Sequence, residues 1–209
     1  MMHLLVTAGP TREAIDPVRF ISNRSSGVTG YEIAASAVAR GHRVTLVSGP
    51  VALPAPRGVK LIRVVSADDM YRACMNAFAE VDVTIMTAAV CDYRPKRASL
   101  HKIKKTRPVM TLELVRTRDI LAELGRRKRP GQILIGFALE DRRGRTAAKA
   151  KFTTKNLDAV ILNSPAALGA ERNKVSIYYD SAWHDWPETS KRALGRRILR
   201  LAERLWGAG

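Results

Sequence analysis

Six polar or charged side chains able to bind or activate a small molecule lie close together near the start of the chain. They are Thr11, Arg12, Glu13, Asp16, Arg19 and Asn23. The loop that carries them follows an apolar run at residues 3–8, which has the pattern of a buried strand. Open α/β sheets bind ligands beyond the carboxyl ends of their strands, and long loops in compact domains are usually functional. This loop is therefore a candidate substrate site.

A cluster of serines and glycines ends the loop, immediately before a helix-like stretch at residues 28–40. The first N–H groups of a helix are free and carry partial positive charge, so they attract anions. Ser25 and Ser26 add hydroxyl donors, and Gly27 and Gly30 allow a ligand or a neighbouring backbone to come close. A plain helix capped by serine is the alternative interpretation. The G-x-x-G spacing, far from the strand, is not the fingerprint of a dinucleotide-binding turn.

A second polar cluster, TAAVCDYRP at residues 87–95, follows an apolar run at residues 82–88. The small side chains of Ala88 and Ala89 permit contact between the backbone and a flat ring. Asp92 can hold a cation or a ribose hydroxyl. An ordinary turn with a solvated aspartate would have the same sequence, so this cluster alone does not decide the function.

Two lysine clusters complete the set. The stretch HKIKK, residues 101–105, places three lysines in a loop, which suits a phosphate-binding flap. The stretch GFALED, residues 136–141, is followed by Lys151 and Lys155, which one helical turn presents on the same face. Lysines of this kind are usually solvated surface. Because all the clusters follow successive predicted strands, a shared site is favoured over separate surface features.

The alternation of short apolar runs with helical patterns predicts a Rossmann-like, doubly wound α/β fold with a mainly parallel sheet. Predicted strands cover residues 3–8, 43–48, 60–65, 82–88, 132–138 and 158–162. Predicted helices cover residues 28–40, 67–79, 117–128, 142–155 and 188–206. Most of the strands are continuous Val/Ile/Leu runs, typical of strands buried on both faces. The final helix has one apolar stripe, which predicts packing on the domain rather than contact with DNA.

Two segments depart from this alternation. Residues 109–114 (VMTLEL) and 174–179 (KVSIYY) have the period-two pattern of half-exposed antiparallel strands. We expect them to pair in a small antiparallel extension that serves as a subunit interface. The chain, residues 1–209, is then a single domain with a flap or extension at about residues 93–116 and a dimerisation element that includes about residues 172–180.

The net charge of +17 predicts a polyanionic partner, either phosphorylated metabolites or nucleic acid. Nucleic acid is disfavoured because aromatic residues make up only 6% of the chain and no stacking cluster lies among the basic residues. Cys74 and Cys91 have no metal-binding or redox spacing, which indicates a reducing cytoplasm. No apolar run is long enough for a membrane span, and a start directly in a strand pattern predicts no signal peptide.

Five longer stretches occur in the order and spacing of a known enzyme family. They are TAGPTREAIDPVRFISNRSSG, TAAVCDYRP, KIKK, GFALED and KFTTKNLDAVILN. Through them the chain resembles phosphopantothenate–cysteine ligase (phosphopantothenoylcysteine synthetase) over about residues 3–180. In many bacteria that enzyme is the C-terminal half of a bifunctional coenzyme A biosynthesis protein. We expect the ligase alone, encoded separately or taken from a longer chain, and no flavin cofactor.

The resemblance implies a ligase of coenzyme A biosynthesis that joins 4′-phosphopantothenate to L-cysteine. CTP would activate the carboxylate as an acyl-cytidylate with loss of pyrophosphate, and the cysteine amine would then displace CMP to give 4′-phosphopantothenoylcysteine. Mg²⁺ or Mn²⁺ would assist. A homodimer and a separate phosphopantothenoylcysteine decarboxylase are the implied protein partners. Base choice depends on backbone contacts, so the residues leave CTP and ATP both open.

The resemblance also assigns roles to individual residues. Asn23 would donate to the oxyanion of the second step, Arg19 would hold the carboxylate or phosphate of the substrate, and Lys102 would neutralise the triphosphate. Nucleotide contacts are expected from Ala88, Ala89, Asp92, Lys102, Thr117, Arg118, Asp119, Ile120, Phe137, Lys151 and Lys155. Substrate or phosphate contacts are expected from Arg19, Asn23, Ser25, Ser26 and Gly27. Asp92 is the expected metal ligand.

The chain departs from the family pattern at Thr117-Arg118, where Asn-Pro is common, and at Cys91, where alanine is common. The first difference puts the nucleotide contacts there in doubt.

Two other functions compete with this assignment. A dehydrogenase would need a G-x-G-x-x-G turn after the first strand and an acid after the second, which instead ends in Ser-Gly-Pro at residues 48–50. A nucleic-acid-binding protein would need stacking aromatics among its basic residues.

Overall fold

A central eight-stranded sheet organises the molecule, which we describe from a computed structural model covering residues 1–105, 108–141, 143–167 and 169–208. Its strands are β1 (His3–Ala8), β4 (Arg43–Ser48), β5 (Lys60–Arg63), β6 (Val83–Met86), β9 (Ile133–Leu139), β10 (Ala159–Asn163), β11 (Arg172–Tyr179) and β12 (Ala182–Ser190). They lie in the order β12-β11-β10-β9-β6-β1-β4-β5. The pairs from β10 to β5 are parallel, and β11 and β12 add an antiparallel edge. The predicted fold class is confirmed.

Within the described residues, five α-helices cover the two faces of this sheet. They are α1 (Val28–Ala39), α2 (Ala67–Phe78), α3 (Ile120–Arg127), α4 (Gly144–Thr154) and α5 (Lys191–Gly207). Residues of α1 and α5 join one buried apolar cluster, and residues of α2, α3 and α4 join the other. Neighbouring strand residues such as Leu4 and Leu5 face opposite clusters, because side chains alternate across a strand. Burial on both faces explains the continuous apolar runs of these strands.

Two short antiparallel ribbons stand outside the main sheet. One pairs β2 (Arg12–Ala14) with β3 (Phe20–Ser22), so the polar loop after β1 is a hairpin rather than an unstructured segment. The other pairs β7 (Tyr93–Pro95) with β8 (Leu114–Arg116) at the two ends of the predicted flap. Each ribbon has only three residues per strand, which is too short for a periodic sequence pattern to reveal.

The predicted pairing of residues 109–114 with residues 174–179 is wrong. Only Leu114 of the first segment lies in a strand, and that strand pairs with β7. The second segment belongs to β11, which pairs with β10 on one side and β12 on the other. Both hydrogen-bonding edges of β11 are therefore occupied within the chain.

The C-terminal helix begins three residues later than the sequence pattern predicts. Residues 188–190 end strand β12, which was not predicted because its sequence, AWHDWPETS, contains a proline and three ionisable side chains. The hydroxyl of Ser190 accepts a hydrogen bond from the Ala193 N–H at 3.2 Å and so caps α5. The predicted apolar stripe of α5 is confirmed: its residues Leu194, Ile198 and Leu201 are buried, and Leu205 packs against the same cluster.

Helices α3 and α4 also begin later than predicted. Asp119 caps α3 by accepting from the Ala122 N–H at 3.0 Å, so residues 117–119 precede the helix. Helix α4 begins at Gly144, and residue 142 of its predicted range lies outside the described residues. None of the described helices is long and apolar enough to cross a membrane.

Candidate functional site

A cavity of 740 Å³ opens at the carboxyl ends of the central parallel strands. It lies beside β1 and β6, where the chain reverses the direction in which it adds strands, and open α/β sheets bind ligands at this switch point. The cavity brings together most of the predicted site residues, namely Asn23, Ser25, Ser26, Gly27, Ala88, Ala89, Asp92, Thr117, Arg118, Asp119, Ile120, Phe137, Lys151 and Lys155. Arg19 and Lys102, although both are described, do not line it.

The start of α1 forms one wall of the cavity. Gly27 precedes the helix with φ 77°, and no side chain caps the helix there. The Gly27 N–H instead donates to the Ser25 hydroxyl at 3.3 Å. A Cβ at Gly30 would lie 2.6 Å from both Ala8 Cβ and Thr87 Oγ1, so this glycine allows close packing of helix on strands. The uncapped N–H groups of α1 are free to bind an anion.

Asn23 bridges the two loops at the mouth of the cavity. Its Nδ2 donates to the carbonyl oxygens of Ala89, at 3.0 Å, and Val90, at 3.2 Å. The Asn23 amide nitrogen is therefore already engaged within the protein. To donate to a ligand, as its predicted role requires, Asn23 must exchange one of these hydrogen bonds.

Arg19 holds the predicted flap instead of facing the cavity. Its Nε lies 3.0 Å from Asp16 Oδ2, and its Nη2 donates to the Ile103 carbonyl at 2.8 Å. The Ile103 N–H returns a hydrogen bond to Asp16 Oδ2 at 3.1 Å. The Arg19 hydrogen bond keeps the pKa of the buried Asp16 carboxyl well below its usual range, although burial opposes ionisation. Lys102, next to this anchor, is exposed.

A lysine–carboxylate pair lies on the opposite wall, between α4 and α3. Lys155 Nζ is 2.8 Å from Asp119 Oδ2, while the other carboxylate oxygen caps α3. Burial, the largest single influence, works against ionisation of Asp119, but the hydrogen bonds from Lys155 and the Ala122 N–H and the charges of Lys155 and Lys151 together outweigh it, so the Asp119 pKa is lowered. The pair leaves Lys155 partly neutralised and fixes it beside the cavity.

Lys151 is a more deeply placed cation one helical turn away. Its Nζ donates to the Phe137 carbonyl at 2.6 Å. Burial, and then the nearby charge of Lys155, lower its pKa. A bound anion would relieve both effects, so Lys151 is suited to contact one.

The stretch that departs from the family pattern is held by backbone contacts. The Thr117 hydroxyl donates to the Cys91 carbonyl at 2.6 Å, and the Thr117 N–H donates to the Asp92 carbonyl at 2.9 Å. The Arg118 guanidinium lies 4.7 Å from the centre of the Tyr71 ring, with Asp68 4.0 Å away. Arg118 therefore directs its charge toward α2 rather than into the cavity.

Sequence reasoning missed a third lysine in the cavity, Lys191, the first residue of α5. Helices α1 and α5 pack in parallel: Gly195 faces the backbone of Glu32, and Glu203 pairs with Arg40 eight residues further along both helices. Their N-termini therefore meet at the same end of the cavity. Burial lowers the Lys191 pKa, and no carboxylate of the described chain pairs with it.

Two asparagines at the same end were also missed. Asn173 Nδ2 donates to Asn163 Oδ1 at 3.1 Å, and both residues line the cavity. Asn163 is the last residue of β10, so the rule that ligands bind at strand ends would have selected it. Lys191 carries no such signal, because it lies in a helix far along the chain.

The family of the chain follows from sequence comparison. Residues 1–205 match the family described as DNA/pantothenate metabolism flavoprotein C-terminal domain. The chain belongs to this family. The resemblance drawn from the five motifs is confirmed.

Members of this family from several bacteria are similar to the chain. The coenzyme A biosynthesis bifunctional protein CoaBC of Bacillus subtilis is 46% identical over 204 residues, which are 95% of this chain and 50% of that protein. The protein of the same name from Vibrio cholerae is 40% identical over 204 residues, 95% of this chain and 51% of its own length. The chain spans about half the length of these curated relatives.

A solved structure supports the fold across the whole chain. The crystal structure of the C-terminal domain of coenzyme A biosynthesis bifunctional protein CoaBC matches with a TM-score of 0.86 and 41% sequence identity. The match covers 100% of this chain and 97% of that one. The Rossmann-like sheet with its antiparallel edge is therefore shared within the family.

The described residues of this family member do not form a metal cage: no group of three or more His, Cys, Asp or Glu side chains is placed to hold an ion. Asp92 supplies one exposed carboxylate to the cavity. Magnesium usually keeps several waters and binds through one or two carboxylates together with substrate phosphates. The donor set therefore fits an ion that arrives with a nucleotide.

Proposed function

We propose that the chain is a phosphopantothenate–cysteine ligase domain that forms 4′-phosphopantothenoylcysteine from 4′-phosphopantothenate, L-cysteine and CTP. One observation carries the proposal: residues from four of the five family stretches line one cavity, whose lysines and uncapped α1 N-terminus favour a polyanionic nucleotide. Because the chain spans half of its curated relatives, the assignment concerns this domain and not the activities of a longer protein.

The triphosphate binds at the end of the cavity where α1 and α5 meet. The free N–H groups of α1, the hydroxyl of Ser26 and the ammonium of Lys191 all border that space. A helix N-terminus and an unpaired lysine attract the same charge, so their positions reinforce each other. The cytidine then extends toward Phe137 on the far side.

The first step is attack of the phosphopantothenate carboxylate on the α-phosphorus of CTP. The bond between the α-phosphorus and its bridging oxygen breaks, and pyrophosphate leaves with the electron pair. Lys151 and Lys102 stabilise negative charge that develops on the phosphates. Lys102 reaches the nucleotide when the flap, anchored at Ile103 by Arg19, closes over it.

The second step is attack of the cysteine amine on the acyl carbon of the acyl-cytidylate. A tetrahedral oxyanion forms, CMP leaves, and the amine nitrogen loses a proton to give the amide. Asn23 donates one amide hydrogen to the oxyanion after releasing the carbonyl of Ala89 or Val90. The Arg19 side chain is 41% exposed although it pairs with Asp16, and its remaining guanidinium N–H groups would attract the substrate carboxylate or phosphate from outside the cavity.

A divalent cation, Mg²⁺ or Mn²⁺, accompanies the nucleotide. Asp92 would hold it together with the phosphates, and its charge would offset that of the triphosphate when bound. This chain's own lysines do the rest of the neutralisation.

The chain acts as a homodimer in this proposal, through the surface formed by the two ribbons. Apolar side chains there are exposed: Val18, Phe20, Tyr93, Leu100, Val109, Met110 and Leu114. Exposed apolar side chains in such number on one part of the chain are typical of a protein interface. The predicted dimerisation element at residues 172–180 cannot pair edge to edge, because β11 has a strand on each side.

A separate decarboxylase partner and a cytoplasmic location, consistent with two free buried cysteines, complete the proposal.

A single assay tests the function. The protein is incubated with 4′-phosphopantothenate, cysteine, Mg²⁺ and either CTP or ATP, and pyrophosphate and the amide product are measured. We expect pyrophosphate release that requires 4′-phosphopantothenate, with CTP preferred. Equal release without the acyl substrate, or no release with any nucleotide, would overturn the proposal.

A further inference from the structure

A second cavity, of 450 Å³, lies between α5 and the antiparallel edge of the sheet. Its lining residues are Tyr179, Trp186, Arg197, Arg200, Leu201 and Arg204. None of them lines the first cavity, and none belongs to a motif that the proposed function uses. The strands β11 and β12 supply the aromatic wall, and α5 supplies the basic one.

The three arginines form one face of α5. Arg197, Arg200 and Arg204 are spaced by three and four residues, so their side chains are neighbours on the helix surface. No carboxylate of the described chain pairs with any of the three. The adjacent acid, Glu203, is already engaged by Arg40 at 2.6 Å and by His42 at 2.8 Å. The positive charge of this face is therefore left without an internal counter-ion.

Aromatic rings hold two of these guanidinium groups in place. The Arg197 guanidinium carbon lies 4.9 Å from the centre of the Trp186 ring. The Arg204 guanidinium lies 5.1 Å from the centre of the Tyr179 ring, and its Nη2 donates to the Tyr179 hydroxyl at 2.6 Å. Contacts with aromatic rings orient an arginine without neutralising it, so less side-chain freedom is lost when an anion binds.

The Tyr179 ring does not offer a free stacking surface. Tyr179 is stacked on His184 at 4.1 Å on one side and covered by Arg204 on the other. A nucleobase therefore has no place on Tyr179, and the three guanidinium groups are the main recognition feature of the cavity. The three arginines extend over seven residue-to-residue steps of the helix, about 10 Å, which is longer than a single phosphate group.

We propose that this second cavity binds a condensed phosphate, that is, a small anion of two or three linked phosphate groups. Arg200 and Arg204 supply bidentate donors to its non-bridging oxygens, and Arg197 completes the face. The phosphate chain is either free, as in inorganic tripolyphosphate, or the tail of a nucleotide whose base stays in solvent. The site is independent of the proposed ligase activity.

Calorimetric titration with tripolyphosphate tests this site. The variant is Arg200→Ala with Arg204→Ala, and the matched control is Arg192→Ala with Arg196→Ala, two exposed arginines of the same helix that line neither cavity. Both double variants remove the same charge. We expect the first to weaken one binding event by roughly tenfold or more and the control to leave it unchanged. The single variant Arg200→Ala, whose guanidinium has no partner in the described chain, should weaken it in the same direction and keep the fold.

The titration separates this site from the first cavity by stoichiometry. Wild type should bind two tripolyphosphate ions per chain, and the double variant one. If the first cavity does not bind a nucleotide, wild type should bind one tripolyphosphate ion per chain and the double variant none, and the inference still stands. A parallel titration with ATP distinguishes a free phosphate chain from a nucleotide tail. Equal binding by wild type and variant, an equal loss in the control, or tighter binding of a DNA duplex that the same variant abolishes would overturn the inference.

Discussion

The side-chain amide of Asn23 donates to the carbonyl oxygen of Ala89 at 3.0 Å, and this bond joins the hairpin loop to the loop after β6. Both loops border the cavity in which the acyl group is proposed to react. Asn23 is therefore a positioning residue in the free protein and the proposed oxyanion donor during the reaction. The two roles require the same Nδ2 atom, so the loop contact must change when substrate binds.

Replacing Asn23 separates the two half-reactions. Asn23→Asp puts an acceptor-only carboxylate against two carbonyl oxygens and removes the donor. Loss of one oxyanion donor typically costs on the order of 10²–10³ in rate, so amide formation should fall by that factor while the acyl-cytidylate accumulates. Mass spectrometry of quenched reactions measures both species. Arg24→Ala, an exposed neighbour outside the cavity, is the control, and product formation at the normal rate in Asn23→Asp would contradict the role.

Lys191 should bind the nucleotide and not the amino acid. Lys191→Met removes the ammonium but keeps an apolar stem of similar length, so α5 should pack as before. We expect the KM for CTP to rise about tenfold while the KM for cysteine is unchanged. Steady-state kinetics with each substrate varied in turn provide the measurement. Arg192→Met, an exposed neighbour, should behave as wild type, and an unchanged KM for CTP in Lys191→Met would remove this lysine from the site.

Asp16 should make stability depend on pH. The hydrogen bond from Arg19 lowers its pKa below the ordinary value of 3.8, so between the two values the unfolded chain binds more protons than the folded one. The stabilisation that the ionised Asp16 carboxylate gives the folded protein is complete above pH 3.8. It is lost as the pH falls through the pKa that Asp16 has in the folded protein. The free energy of unfolding of wild type minus that of Asp16→Asn should therefore be largest near neutral pH and shrink in acid. Urea unfolding over this range measures it.

Asp180→Asn is the control for that series. Asp180 is exposed and makes no hydrogen bond or ion pair within the described chain. Its left-handed conformation, with φ 49°, suits asparagine equally well. A difference for Asp16→Asn that is the same at every pH would show that the variant acts through something other than ionisation.

Within the predicted flap or extension at about residues 93–116, the basic loop at about residues 96–107 should close over the nucleotide. It is anchored by the Ser99 N–H, which donates to the Ile15 carbonyl at 2.9 Å, and by Ile103, whereas Lys102, Lys104 and Lys105 are exposed. Residues 106 and 107 of the prediction lie outside the described residues. Trypsin should cleave after the exposed lysines quickly in the free protein and slowly with CTP and Mg²⁺, because a bound triphosphate would hold them.

A pair of flap variants gives this prediction its control. Lys102→Gln should lower the rate of nucleotide turnover sharply and leave the thermal unfolding temperature unchanged. Lys104→Gln removes an equally exposed charge two residues away and should have a much smaller effect. Trypsin cleavage at the same rate with and without saturating CTP would count against closure even if the ligase activity were observed.

The sequence by itself determined the fold class, the family and the residues of most of the cavity wall. Parallel strands that are buried on both faces require continuous apolar runs. Such a run can be recognised in the sequence of a single strand, as in β1 and β4. The five polar stretches are local in sequence, and most of them begin at or close to the end of a strand. The carboxyl ends of parallel strands meet at one edge of a sheet, so local patterns were sufficient to bring Asn23, Asp92 and Lys151 to the same cavity.

Only the tertiary structure decided which charges face the cavity. Arg19 pairs with Asp16, and Arg118 lies over the Tyr71 ring; no sequence spacing reveals these contacts. Lys191 reaches the cavity because α5 packs parallel to α1. The same is true of β12, whose polar sequence becomes a strand because β11 presents an unpaired edge to it. A local sequence pattern shows which side chains of a segment are buried. The direction in which a charged side chain points depends instead on partners that are distant in the chain.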